Sequence, residues 1–139
     1  MSAKTSWTLL LVDDEIDILS SFKEFLEASL PGLSVVTAES AAAAMPYVKK
    51  GKIDLIISDY KMPGMDGITF LKKAEEIIPD TPKILLTAFP KLDLAIEAIN
   101  EVAVDKFLTK PIPPDKMLGI VKALLRIDQP VKPPLPTRR

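Results

Sequence analysis

The stretch Leu9-Leu10-Leu11-Val12-Asp13-Asp14 sets the reading of the chain. Four consecutive aliphatic residues end abruptly on two acids. A run without apolar–polar alternation suits a strand buried on both faces, as in a parallel sheet. Four further strand candidates follow. Ser34 to Ala38 is the weaker one. Ile53 to Ile57 is broken only by Asp54 and stopped by Asp59. Lys83 to Leu86 is stopped by Thr87. Val102 to Leu108 contains the last, stopped by Lys110-Pro111.

Helical spacing fills the intervals. Ile18, Phe22, Phe25 and Leu26 share a stripe within Glu15 to Leu30. Ile68, Leu71, Ala74 and Ile78 do so within Ile68 to Ile78, and Met117, Val121, Leu124 and Leu125 within Pro114 to Ile127. Shorter helices fit Ser40 to Lys50 and Lys91 to Asn100. This alternation predicts one α/β domain: a doubly wound, five-stranded parallel sheet with helices on both faces and right-handed crossovers. Pro46 lies inside the second helical pattern, where it removes an amide donor, so a kink or a late start is expected there. The chain divides into an N-terminal tail (1–6), the domain (7–126) and a Pro-rich tail or linker (127–139).

Composition removes most chemistries. Without cysteine there is no disulfide, thiolate nucleophile or Cys-ligated metal. Without histidine there is no Ser-His-Asp triad, His-ligated metal or His phosphocarrier. The chain has 18 Lys and Arg against 19 Asp and Glu. That balance gives no field to draw it onto nucleic acid or an anionic membrane. No segment approaches the ~18 apolar residues of a membrane span. The run Trp7 to Val12, cut off by acid, reads as neither signal peptide nor anchor, so a cytoplasmic location is expected. Carboxylates, lysines and hydroxyls remain, and such oxygen ligands suit hard cations such as Mg²⁺.

These groups gather at strand ends: Asp13 and Asp14 after the first, Asp59 after the third, Thr87 after the fourth, Lys110 after the fifth. Ligands of open α/β sheets bind at that edge. If strands one and three are central neighbours, three carboxylates crowd one crevice, and their repulsion calls for Lys110 and a divalent ion. Phosphoryl-transfer sites have this charge layout, and an aspartate can itself be the nucleophile. The plainer alternative is that Asp13 or Asp14 caps the first helix.

The segments Leu11-Val12-Asp13-Asp14-Glu15, Asp54-Leu55-Ile56-Ile57-Ser58-Asp59, Met62-Pro63-Gly64-Met65-Asp66-Gly67, Leu86-Thr87-Ala88 and Phe107-Leu108-Thr109-Lys110-Pro111 together resemble the receiver domain of two-component response regulators. The resemblance spans about residues 7 to 126. It implies a flavodoxin-like strand order 2-1-3-4-5. It implies Asp59 as phosphoacceptor and Mg²⁺ as cofactor, held by Asp14 directly, Asp13 through water, Asp59 and the main-chain carbonyl of Lys61. Thr87 and the Ala88 amide would bind phosphoryl oxygens, Lys110 would pair with their charge, and Lys110-Pro111 would be cis. Thr87 and Phe107 would be the switch pair: Thr87 moves toward the phosphoryl group and Phe107 rotates into the vacated space.

The implied function is a phosphorylation-controlled switch, with a sensor histidine kinase or His-phosphotransfer protein as donor. The chain would not be an enzyme, although it assists its own phosphorylation and dephosphorylation. The alternative is a phosphorylation-independent interaction module of the same fold. A flavin- or nucleotide-binding protein would need a phosphate loop where Asp13-Asp14-Glu15 stands. Lys61 and Phe89, each two residues beyond a site residue, are expected to overhang the crevice and slow hydrolysis.

Val102 and Ala103 stand where the family often has glycine, so Asn100 is expected to supply the left-handed helix cap. Ala98-Ile99-Asn100-Glu101 taken with Phe107 to Pro111 is similar to receivers attached to signalling enzymes or kinases. In the tail, Pro133, Pro136 and Arg138 fit the P-x-x-P-x-R spacing of SH3 ligands, but a linker toward a missing output domain, or an unknown output partner, is the expected reading. No segment resembles a DNA-binding module, so no direct nucleic-acid contact and no membrane contact are expected.

Overall fold

Neighbouring residues of the first apolar run enter two different cores. In the computed structural model, which describes residues 4–88 and 91–127, Leu10 and Val12 join one cluster of buried side chains, and Leu9 and Leu11 join another. Ile56 and Leu85 follow the first pair; Leu55, Ile57, Ile84 and Leu86 follow the second. An uninterrupted apolar run is therefore a strand covered on both faces.

The strands are β1 (Trp7–Val12), β2 (Leu33–Ala38), β3 (Leu55–Asp59), β4 (Lys83–Thr87) and β5 (Lys106–Thr109). They are all parallel, in the order β2-β1-β3-β4-β5. The helices are α1 (Ile16–Ser29), α2 (Ala41–Lys50), α3 (Gly67–Ile77), α4 (Leu92–Glu97) and α5 (Pro114–Leu125). Helices α1 and α5 cover one face through Leu19, Phe22 and Leu26 and through Met117, Val121 and Leu125. Helices α2, α3 and α4 cover the other through Ala44, Val48, Phe70, Leu71 and Leu94. The Lys110-Pro111 peptide is cis.

Three local expectations are corrected. Helix α2 does not start late at Pro46: it begins at Ala41, with Ser40 Oγ accepting from Ala43 N, and runs through Pro46 to Lys50. Pro46 and Ala42 are exposed, so the carbonyl that loses its donor four residues back belongs to a solvated residue. The third strand begins at Leu55 rather than Ile53, because the Asp54 carboxylate turns aside to accept from Thr8 N at 2.7 Å and to pair with Lys4. The left-handed cap falls on Ala103 (φ 58°, ψ 49°), not on Asn100. A π-helical turn over Ala98–Val102 extends α4 and moves the cap onward. The expectations for Phe89 and for the Pro-rich segment 128–139 lie outside the described residues.

Candidate functional site

Register brings the predicted residues together. Val12 pairs with Ser58 and Asp59 with Leu86, so Asp13 stands beside Asp59 and Thr87 lies one residue beyond it. Thr87 pairs with Thr109, which delivers Lys110 to the same edge, and Lys110 N donates to Thr87 O at 2.8 Å. The carboxylate oxygens of Asp13, Asp14 and Asp59 lie within 4.8 Å of one another, and no other such acidic group was found among the described residues.

These side chains sit at different depths. Asp13 is 1% exposed and Asp59 6%, whereas Asp14 is open to solvent. Asp13 Oδ1 accepts from Glu15 N at 2.9 Å, bending the chain at the strand end. Asp13 Oδ2 has no hydrogen bond of regular geometry and forms a 2.9 Å ion pair with Lys110 Nζ. The plainer capping alternative is not what is found: the cap of α1 is Glu15, with no side-chain capping bond. Lys110 Nζ also lies 3.0 Å from Glu15 Oε1 and 3.4 Å from Asp59 Oδ2.

Burial, and then the charge of Asp13, push the Asp59 carboxyl up to about 6; Lys110 offsets part of this. For Lys110, burial favours the neutral amine, but its contacts with Asp13 and Glu15 outweigh that and raise its pKa. The cluster is short of positive charge, and its donors are all oxygen. That set fits a hard divalent ion.

The remaining predicted residues are placed around this centre. Lys61 is exposed and lines the crevice of about 610 Å³ together with Asp14, Asp59, Ala88 and Lys110. Thr87 is fully buried at the end of β4. Phe107 is half-buried, packed against the same core as Tyr60, Met65 and Val104. Two further positions shape this edge, and the sequence reading gave neither a role of its own. Glu15 reaches across to Lys110, a contact signalled only by a third acid at the start of α1. Gly67 opens α3 against the end of β3, where a Cβ would meet the Asp59 carbonyl oxygen at 2.1 Å.

Comparison with known proteins agrees with this geometry. A profile described as the response regulator receiver domain matches residues 9–122. The transcriptional regulatory protein GlrR of Escherichia coli (strain K12) is 36% identical over 122 residues; the alignment covers 88% of this chain but only 27% of that protein. Among solved structures, a CheY-like receiver domain protein from Methanospirillum hungatei JF-1 superposes with a TM-score of 0.81 at 30% identity, covering 87% of this chain and 94% of the other. The signal receiver domain of an HD domain-containing protein from Pseudomonas fluorescens Pf-5 gives 0.82 at 32% identity, covering 91% of each chain. The strand order, the acid–lysine edge and these matches coincide, and the chain belongs to the response regulator receiver domain family.

Proposed function

We propose that the chain is a phosphorylation-controlled switch of two-component signalling, in which Asp59 takes a phosphoryl group from a phosphohistidine on a sensor histidine kinase or His-phosphotransfer protein. The observation that carries this reading is the buried Asp59 carboxylate facing the Lys110 ammonium at 3.4 Å beside two further acids. Above pH 6 Asp59 is mostly ionised and can attack phosphorus. An Asp59 oxygen forms the new P–O bond, the donor's P–N bond breaks, and the imidazole leaves, taking a proton from solvent.

Lys110 pairs with the arriving phosphoryl oxygens, and the Thr87 hydroxyl and the Ala88 amide donate to them. Asp13, Asp14, Asp59 and the Lys61 carbonyl are the groups that would hold Mg²⁺, which when bound supplies the positive charge this cluster lacks. Thr87 moving toward the phosphoryl group draws Phe107 inward from its half-buried position, changing the surface that an output partner or output domain meets. Attack of water on the acyl phosphate releases inorganic phosphate and resets Asp59. Lys61 overhangs that approach, so Lys61→Asn speeds release. The chain acts on itself and turns over no separate substrate. Intact-mass spectrometry with acetyl phosphate and Mg²⁺ tests the reading: one phosphoryl mass is expected on the wild type and none on Asp59→Asn. A wild type that takes up nothing leaves the phosphorylation-independent interaction module as the reading.

A further inference from the structure

Two cavities share one ion pair. The acidic crevice adjoins a mostly apolar cavity of about 370 Å³ against α1, lined by Ile18, Phe22, Leu86 and Ile112. Glu15 and Lys110 line both cavities, 3.0 Å apart. Glu15 is 59% exposed, lies outside the acidic cluster and makes no capping bond for α1.

Lys110 is drawn three ways: Asp13 at 2.9 Å, Glu15 at 3.0 Å and Asp59 at 3.4 Å. The longest contact is the one to the proposed phosphoacceptor. An ammonium has three N–H donors. With one directed at Glu15 and the ammonium drawn close to Asp13 as an ion pair, Lys110 is held on the side away from Asp59 and an arriving phosphoryl group. The two competitors are not equal. Asp13 is 1% exposed and would be left as a buried, unpaired carboxylate. Glu15 is exposed and regains water at little cost.

We infer that Glu15 is a positioning residue that holds Lys110 back from Asp59 in the unphosphorylated protein, and that phosphorylation exchanges the Glu15–Lys110 pair for a Lys110–phosphoryl pair. This rests on the proposed function and deepens it. The exposed Glu15 contact is the one surrendered; the Asp13 contact stays.

The test is the initial rate of phosphoryl uptake from acetyl phosphate with Mg²⁺, read by intact mass. In this reaction an Asp59 oxygen forms a bond to phosphorus, the P–O bond to the acetyl group breaks, and acetate leaves with the electron pair. Glu15→Gln is expected to speed uptake about two- to fivefold, the size of one exposed ion pair. Glu15→Asp keeps the charge but is one methylene shorter, loses its reach to Lys110, and is expected to speed uptake equally. If Asp behaves as wild type while Gln is faster, the effect is one of overall charge and the inference fails. A second measurement needs neither metal nor donor. The Tm change on Glu15→Gln should be more negative by about 2 °C in the wild type than in Lys110→Met. Equal changes in the two backgrounds overturn the pairing. A wild type that takes up no phosphoryl group overturns the proposed function and this inference together. Normal wild-type uptake with an unchanged Gln rate overturns the inference alone.

Discussion

A Cβ added to Gly67 would stand 2.1 Å from the carbonyl oxygen of Asp59. Gly67 N donates to Tyr60 O at 2.7 Å, and Asp66 Oδ1 caps α3 by accepting from Thr69 N at 2.8 Å. The start of α3 is thus pressed onto the end of β3, and the main chain that carries the proposed phosphoacceptor is held by that contact.

Gly67→Ala should therefore force main chain against main chain, costing about 1–3 kcal/mol and slowing phosphoryl uptake. Gly119 on α5 is the control: a Cβ there meets nothing within 4 Å. Gly119→Ala should stabilise by about 0.5–1 kcal/mol through helix propensity. Urea midpoints of the two variants, moving in opposite directions, check this.

The pH dependence of Asp59 has a definite sign. Its carboxyl is raised from 3.8 to about 6 by burial and by Asp13. The folded state binds more protons there than the unfolded one, so this group costs stability as pH rises through that window. Without Mg²⁺, Asp59→Asn should raise the unfolding free energy above pH 6, by an amount on the order of 1–2 kcal/mol after screening at the open crevice mouth. The advantage should fade below pH 4. A metal-free Asn variant less stable than wild type at pH 7.5 would show that the crowding is absent.

Mg²⁺ should raise the melting temperature of the wild type. Binding to the folded state alone adds about 1.4 kcal/mol at ten times Kd. Asp14→Ala should lose most of this rise and be no less stable than wild type without metal, because one repelling charge is gone. Calorimetry with and without the ion reads both effects.

Glu27 guards the sheet edge. Its Oε2 accepts from Val35 N at 2.7 Å and from Lys23 Nζ at 2.9 Å, while Lys23 Nζ donates to Val35 O at 2.7 Å. One residue of the edge strand β2 thus has both main-chain groups occupied by α1. The Val35 amide, then Lys23, lower the Glu27 pKa below its ordinary 4.5. Its contribution is present above that value and is lost as pH falls. Glu27→Gln should cost about 1 kcal/mol at pH 7 and much less in acid.

The alternation of buried runs and helical stripes made the fold legible, because a two-sided core leaves Leu9 to Val12 with no solvent face. The site was legible in the same way: each of its residues ends a strand, and strand ends share one edge of the sheet. What stayed hidden depends on three-dimensional packing. Lys83, a cation at the start of an apolar strand, proves 2% exposed, with its ammonium held by Thr81 O, Ile78 O and Glu75. The π-helical turn left no periodic signal, and it decides that Ala103 rather than Asn100 takes the left-handed conformation. Ala103→Gly should accordingly stabilise, by about 1 kcal/mol. The Glu15–Lys110 pair joins residues 95 positions apart, and its one local sign is the third acid after Asp13-Asp14.

On the proposed function, Asp59 carries the phosphoryl group. Borohydride reduces an aspartyl phosphate to homoserine, so peptide mapping after treatment with acetyl phosphate, Mg²⁺ and borohydride identifies the acceptor directly. Homoserine is expected at position 59 and at no other aspartate. Conversion at Asp13 or Asp14, or none at Asp59, would contradict it.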